Sequence, residues 1–291
     1  MLPPLEEPLQ GFIALVLGLI FGSFANVCIH RLPERRSVVW PGSACPRCRE
    51  PIAWYDNIPV ISWLLLAGHC RRCRAGISWR YPAIEAATGI LFLALWAQHG
   101  LTLHWVALAW LAASIVILVP IDLEHYILPD AVTLPGIAAG LTASFVAGGI
   151  GILRALTGAA VGAGLPLAVR AFYAAMARIR RPAVPEPTGP ADPEADLPGD
   201  PSREGMGLGD VKMLAMVGAF LGPALVVMTI FTASIIGTLF VLPLLISGRR
   251  GMKSAIPFGP FLGAGALVAM LWGESILAWY SGVVIPLPFL G

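Results

Sequence analysis

Apolar residues along this chain are not spaced to make one face of a helix or alternate sides of a strand. They come in continuous runs of the length that crosses a hydrocarbon layer. Such runs lie at about 9–29, 83–99, 103–121, 131–150, 153–176 and 258–281, with a further one at 208–245. The 208–245 run is too long for one crossing and is interrupted by Gly222-Pro223, where a helix is expected to break. Read as a hairpin of two helices, it brings the total to about eight transmembrane helices in an all-α polytopic protein. Two segments interrupt the apolar pattern: 32–80, rich in arginine and cysteine, and 181–205, which carries seven prolines among Asp, Glu and Gly. The second is expected to be a disordered linker with no chemistry of its own.

Composition agrees with this pattern. Of 291 residues 57% are hydrophobic and 12% charged, with a mean hydropathy of +0.78. A net charge of +2, with no aromatic-basic stripe, excludes a nucleic-acid partner and leaves the bilayer as the surrounding medium. Met1 to Gln10 holds Glu6 and Glu7 but no Lys or Arg, so the first run lacks the basic start of a signal peptide and reads as a retained helix.

The distribution of basic residues orients the helices. Nine of the nineteen Lys and Arg residues fall between Arg31 and Arg80. Others cluster around 177–207 (Arg178, Arg180, Arg181 and Arg203, with Arg170 just before) and in the 247–257 loop (Arg249, Arg250, Lys253). Eight crossings with both termini outside place all three clusters in the cytoplasm, as the positive-inside rule requires, and leave only Arg154 awkward. A single crossing at 208–245 would put Arg249, Arg250 and Lys253 outside.

Four of the five cysteines form two Cys-x-x-Cys pairs, Cys45/Cys48 and Cys70/Cys73, separated by 21 residues. That spacing suits a tetrahedral thiolate site for structural Zn2+, with neighbouring arginines offsetting the thiolate charge and no coordination position left for catalysis. Two disulfides are the competing arrangement, and a reducing cytoplasm disfavours them. Cys28, at the end of the first apolar run, reads as a small buried residue. The stretch Trp54 to Trp63 between the knuckles suits either packing onto the membrane surface or lining a ligand pocket.

The remaining chemistry lies at the ends of apolar runs. Asp122 follows one such run, and Gly207-Leu208-Gly209-Asp210-Val211-Lys212 opens another. An ionisable residue so placed needs a reason. The topology above, derived without these aspartates, puts both at the cytoplasmic edge. Two carboxyls there can share the work of an aspartyl protease, one donating a proton and the other activating water. Glu124 and Asp130 read as interfacial charges, Asp130 as a helix cap after Pro129. A metal held by Asp122, Glu124 and His125 is an alternative that leaves the Gly-Leu-Gly-Asp string unexplained. No Gly-x-Ser-x-Gly or His-Glu-x-x-His motif is present.

Taken in order, these residues resemble the type IV prepilin leader peptidases, which also N-methylate their product. The resemblance runs through Gly22-Ser23-Phe24, Asn26-Val27, Arg31-Leu32-Pro33, the two cysteine knuckles around Asp56-Asn57-Ile58-Pro59-Val60, and Arg80-Tyr81-Pro82 with Glu85. It continues through Asp122 to Asp130, Gly207 to Lys212, and Pro257-Phe258-Gly259-Pro260-Phe261. It implies an intramembrane aspartyl protease of the Gly-x-Gly-Asp kind in the bacterial inner membrane, with catalytic positions at Asp122 and Asp210. The implied substrates are prepilins and pseudopilins of type IV pili and type II secretion, cut on the cytoplasmic side after a glycine. S-adenosylmethionine is the implied methyl donor. There is no glycine-rich nucleotide fingerprint, so the residues that would bind it stay unassigned, as does the oligomeric state.

The expected organisation is a first transmembrane helix (1–31), a cytoplasmic cysteine-rich region carrying the methyltransferase function (32–82), and a membrane-embedded peptidase domain (83–291) that contains the 181–205 linker. The competing readings are a peptidase without methylation, and a zinc-stabilised transporter or channel with Asp122 and Asp210 in an ion path.

Overall fold

The computed structural model describes residues 6–146, 149–180, 207–246 and 257–284; the expected 181–205 linker, the loop residues Arg249, Arg250 and Lys253, and both extreme termini lie outside them. Eight α-helices are described: α1 (Glu6–Arg31), the short α2 (Ile61–Leu65), α3 (Arg80–His99), α4 (Leu103–His125), α5 (Asp130–Val146), α6 (Ile152–Arg180), α7 (Leu208–Ile246) and α8 (Gly259–Val284). No strand occurs among the described residues, only two isolated bridges in the cysteine-rich segment.

Five of these helices are long and apolar enough to cross a membrane, with spans within α1, α4, α6, α7 and α8. Large apolar side chains such as Phe12, Leu153, Phe172, Phe231, Leu239 and Trp279 stand exposed on the outer faces, which suits contact with lipid rather than water. The chain is a multi-pass membrane protein.

The predicted break in the longest run is present. Gly222 has φ 81° and ψ 178°, outside helical geometry, and Pro223 follows it. The arms on either side return along the same neighbour: the Leu214 carbonyl and a Val226 methyl both lie against Gly162 of α6. A straight helix would separate residues 214 and 226 by about 18 Å, so α7 folds back on itself at Gly222.

Small residues set the closest packing. Gly158 on α6 and Gly218 on α7 cross with each backbone in the space that the other's Cβ would occupy. Such contacts let dispersion act across a helix pair that gains little from hydrophobicity within lipid. The core is formed by the inner faces of α4, α7 and α8, where Leu111, Ile115, Leu118, Met213, Val217 and Leu262 are fully buried.

Helix ends are secured locally. Thr102 caps α4 by accepting a hydrogen bond from the Trp105 N–H at 3.1 Å, and Trp105 Nε1 donates to the Phe92 carbonyl of α3 at 3.1 Å. At the other end of α4, Tyr126 takes the left-handed conformation (φ 56°) and its N–H closes onto the Asp122 carbonyl.

A Cβ at the Gly158–Gly218 crossing is expected to cost about 1–3 kcal/mol through overpacking. Gly158→Val should therefore lower the unfolding midpoint in detergent. Gly164→Ala, where a Cβ meets open space, should not. Equal midpoints for the two variants would contradict the close crossing.

Candidate functional site

Polar groups gather where α4 ends and α5, α7 and α8 begin. Pro120 lacks the N–H that would reach back to Val116, which loosens the last turn of α4 just before Asp122. Asp122 is buried, at 6% exposure, and its Oδ2 accepts the Gly259 N–H at 3.0 Å. A side chain at 259 would collide with that carboxylate, so glycine permits the first turn of α8 to close over it. Asp210, half-buried in the first turn of α7, is near enough to feel the Asp122 charge, and the Gly207 N–H points at its carboxylate. Two chain-distant aspartates thus lie at the same end of the bundle, Asp122 in the last turn of α4 and Asp210 in the first turn of α7.

Contacts around the pair fix the helix starts. Gly209 packs on Leu128, with the space for its Cβ 3.0 Å from the Leu128 Cβ. Lys212 Nζ pairs with Asp130 Oδ1 at 2.6 Å, tying the start of α7 to that of α5. Glu124 pairs with Arg80 at the start of α3. Glu124 and Asp130, read from sequence as interfacial charges, are both in ion pairs. His125 is exposed and forms no metal-binding group with Asp122 and Glu124.

The cysteine-rich segment stands between α1 and α3. Its two knuckles repeat one geometry. The Cys45 N–H donates to the Glu50 carbonyl (3.0 Å) and the Arg49 N–H to the Cys45 carbonyl (2.8 Å); Cys70, Ala75 and Arg74 repeat the pattern at 2.8 and 3.0 Å. Arg49 and Arg74 both take the left-handed conformation that closes the turn. The thiols of Cys45, Cys48, Cys70 and Cys73 are free and converge, with all four Sγ atoms within 4.8 Å of one another. The Cys45–Cys73 separation is 3.8 Å. Thiolates at about 2.3 Å from a tetrahedral Zn2+ stand about 3.8 Å apart, so the four sulfurs fit such an ion. Backbone hydrogen bonds at Cys48 and Arg47 hold the Cys45 thiol down at about 6, while desolvation and the facing cysteine sulfurs push Cys48 up to about 11, so the four sulfurs titrate as one group. These four form the one group among the described residues able to hold a metal ion.

Beneath the knuckles a cavity of about 800 Å3 opens between the end of α1, the Trp54 to Trp63 stretch and the start of α3. That stretch lines a pocket: Tyr55, Asp56, Asn57, Val60, Ser62 and Trp63 all face it. Arg71 clamps Asp56 with bonds of 2.6–3.1 Å and lies over the Tyr55 ring. Its guanidinium holds the Asp56 carboxyl below the usual carboxylate range. Glu85, which the sequence offered only as part of the resemblance and without a role, lines the floor. The available signal was an acid near the start of an apolar run, the same signal that singled out Asp122.

The fold and the polar clusters define a polytopic helical membrane protein with an aspartate pair at one edge and a four-cysteine module beside it. A model described as Bacterial Peptidase A24 N-terminal domain matches residues 16–99, and one described as Type IV leader peptidase family matches residues 105–242. The chain is 34% identical to a prepilin leader peptidase/N-methyltransferase of Aeromonas salmonicida, with 94% of each chain covered. It is 38% identical to a protein of that name from Myxococcus xanthus, over 87% of this chain and 69% of the relative. Against one from Pseudomonas aeruginosa the identity is 32%, with 91% of each covered. No solved structure gives a significant match. The chain belongs to the type IV leader peptidase family and is an enzyme, a peptidase with methyltransferase activity.

Metal analysis tests the cysteine module. About one divalent ion per chain is expected, and titration with Co2+ should produce the charge-transfer band of thiolate ligation. Cys70→Ser should abolish that band; an undiminished band would remove these sulfurs from the site.

Proposed function

We propose that this enzyme cleaves the leaders of type IV prepilins and pseudopilins on the cytoplasmic side of the bacterial inner membrane, after a glycine, and N-methylates the new terminus using S-adenosylmethionine. Asp122 and Asp210 are the catalytic residues. The observation that carries the reading is the placement of these two carboxyls, from helices far apart in sequence, at the same edge of an apolar bundle. The names of the relatives supply the substrate class and the second activity.

The pair shares one proton during catalysis. The ionised carboxylate takes a proton from water as the oxygen attacks the scissile carbonyl, and the protonated partner donates to that carbonyl oxygen. The Gly259 N–H, already bonded to Asp122, keeps that carboxylate oriented without a side chain to obstruct the peptide. A substrate helix lies in lipid against the bundle, so its leader meets the pair where the apolar segment leaves the membrane.

Eight crossings with both termini outside would place the basic segments and the aspartate pair on the cytoplasmic face. Zn2+ at Cys45, Cys48, Cys70 and Cys73 is structural, joining two turns that otherwise have little core. The cavity falls within the roughly 300–1,000 Å3 of pockets that enclose small ligands, and its aromatic and polar lining suits S-adenosylmethionine. Bound among Tyr55, Asn57 and Trp63, that donor supplies an electrophilic methyl group on sulfur.

Cleavage of a model prepilin by Asp122→Asn and Asp210→Asn tests the assignment. Each substitution preserves size and removes the acid, so turnover should fall by about a thousandfold or more while substrate binding survives. Asp130→Asn, which breaks only the Lys212 pair, should keep most activity. Retained cleavage in either of the first two variants would overturn the dyad.

A further inference from the structure

Three carboxylates line the cavity beneath the knuckles: Glu50, Asp56 and Glu85. Glu50 pairs with Arg72 at 3.2 Å and Asp56 with Arg71 at 2.6 Å. Glu85 is the most buried, at 8% exposure, yet among the described residues no cation pairs with it. Its neighbours are neutral donors: the Val60 N–H at 2.7 Å and the Ser23 hydroxyl. A buried carboxylate without a counter-charge is costly, and a cationic ligand entering the cavity would relieve it.

The surroundings hold this carboxylate in place. Gly22 of α1 lies so close that a Cβ there would stand 2.6 Å from the Glu85 Cα. Val60, whose N–H binds Glu85, sits at φ 61°, a region that branched residues rarely occupy. Such a conformation persists only where the neighbouring structure enforces it, and such positions concentrate at functional sites.

Location selects among cations. Glu85 lies on the floor of the cavity, with Ser23 and Asn26 of α1 also lining it. Arg80, at the start of the same helix, is paired with Glu124, two residues past Asp122. The floor is therefore joined through one ion pair to the end of α4, where cleavage is proposed to create a free amine.

We propose that Glu85 receives the terminal ammonium of the cleaved substrate and takes its proton. The inference rests on the methyl-transfer half of the proposed function. An ammonium nitrogen has no free electron pair and cannot accept a methyl group. Transfer of one proton from R–NH3+ to the Glu85 carboxylate leaves R–NH2 and a neutral carboxyl, and frees that pair on nitrogen. Glu85 thus both selects an unblocked N-terminus and prepares it.

The test compares binding of two peptides to the full chain in micelles. Both carry the mature N-terminal sequence of a prepilin, one with a free amine and one N-acetylated. Wild type should prefer the free amine by about tenfold or more, as for a buried charge contact, and Glu85→Gln should bind the two alike. In the same samples Glu85→Gln should slow methylation by about a hundredfold while leader cleavage stays within about twofold. An undiminished preference for the amine in Glu85→Gln overturns the proposal. If wild type cleaves but never methylates, the second activity fails and the proposal falls with it, a result distinct from a Glu85 variant that methylates normally. Should Glu85→Gln also lose cleavage through misfolding, Glu85→Asp decides, because it keeps the charge. Amine preference with slower methylation supports the proposal, and no preference overturns it.

Discussion

The cost of placing a carboxylate beside hydrocarbon governs the arrangement at the aspartate end of this molecule. Asp122 follows an uninterrupted apolar helix and cannot be satisfied by its own neighbours. Its oxygen is met instead by the backbone of Gly259, at the start of a helix 137 residues away. Asp210 is met by the chain turn that precedes α7. Around them, charges too polar for the bundle interior pair across helix starts, Lys212 with Asp130 and Arg80 with Glu124. The starts of α3, α5, α7 and α8 and the end of α4 are thereby drawn to one edge, while the rest of each helix is free to be apolar throughout.

That division explains why the bundle relies on small residues. Within lipid, helices gain little by hiding apolar surface from one another, so association depends on close backbone approach. The crossing of Gly158 with Gly218 and the reversal at Gly222 let α6 and both arms of α7 share one interface. The second arm of α7 packs along α8, where the Gly265 backbone lies against Thr229 and Ala233.

The cysteine module solves a different problem. It has few buried apolar residues, and two short turns without a core would not hold a cavity open. The backbone hydrogen bonds that close each knuckle and the Asp56–Arg71 clamp provide rigidity that packing does not. The module's inner wall and the floor contributed by α1 and α3 enclose a space large enough for a small ligand, joined through Arg80 to the aspartate edge.

By itself the sequence determined the features that depend on local composition. Apolar runs longer than about 18 residues have few fates other than crossing a membrane, so the helices were legible, as was the break at Gly222-Pro223. The repeated Cys-x-x-Cys spacing was legible because each turn closes within a few residues, whichever way the chain runs afterwards. Asp122 and Asp210 stood out because a charge at the end of an apolar run is conspicuous. Glu85 carried the same mark, but the burial that distinguishes it from a solvated interfacial acid arises from α1 and Val60, which are distant in sequence. The Gly259 contact, the Lys212–Asp130 and Arg80–Glu124 pairs, and the cavity were likewise decided only by tertiary structure. Each joins groups whose separation along the chain says nothing of their separation in space, and only helix packing brings them within hydrogen-bonding distance.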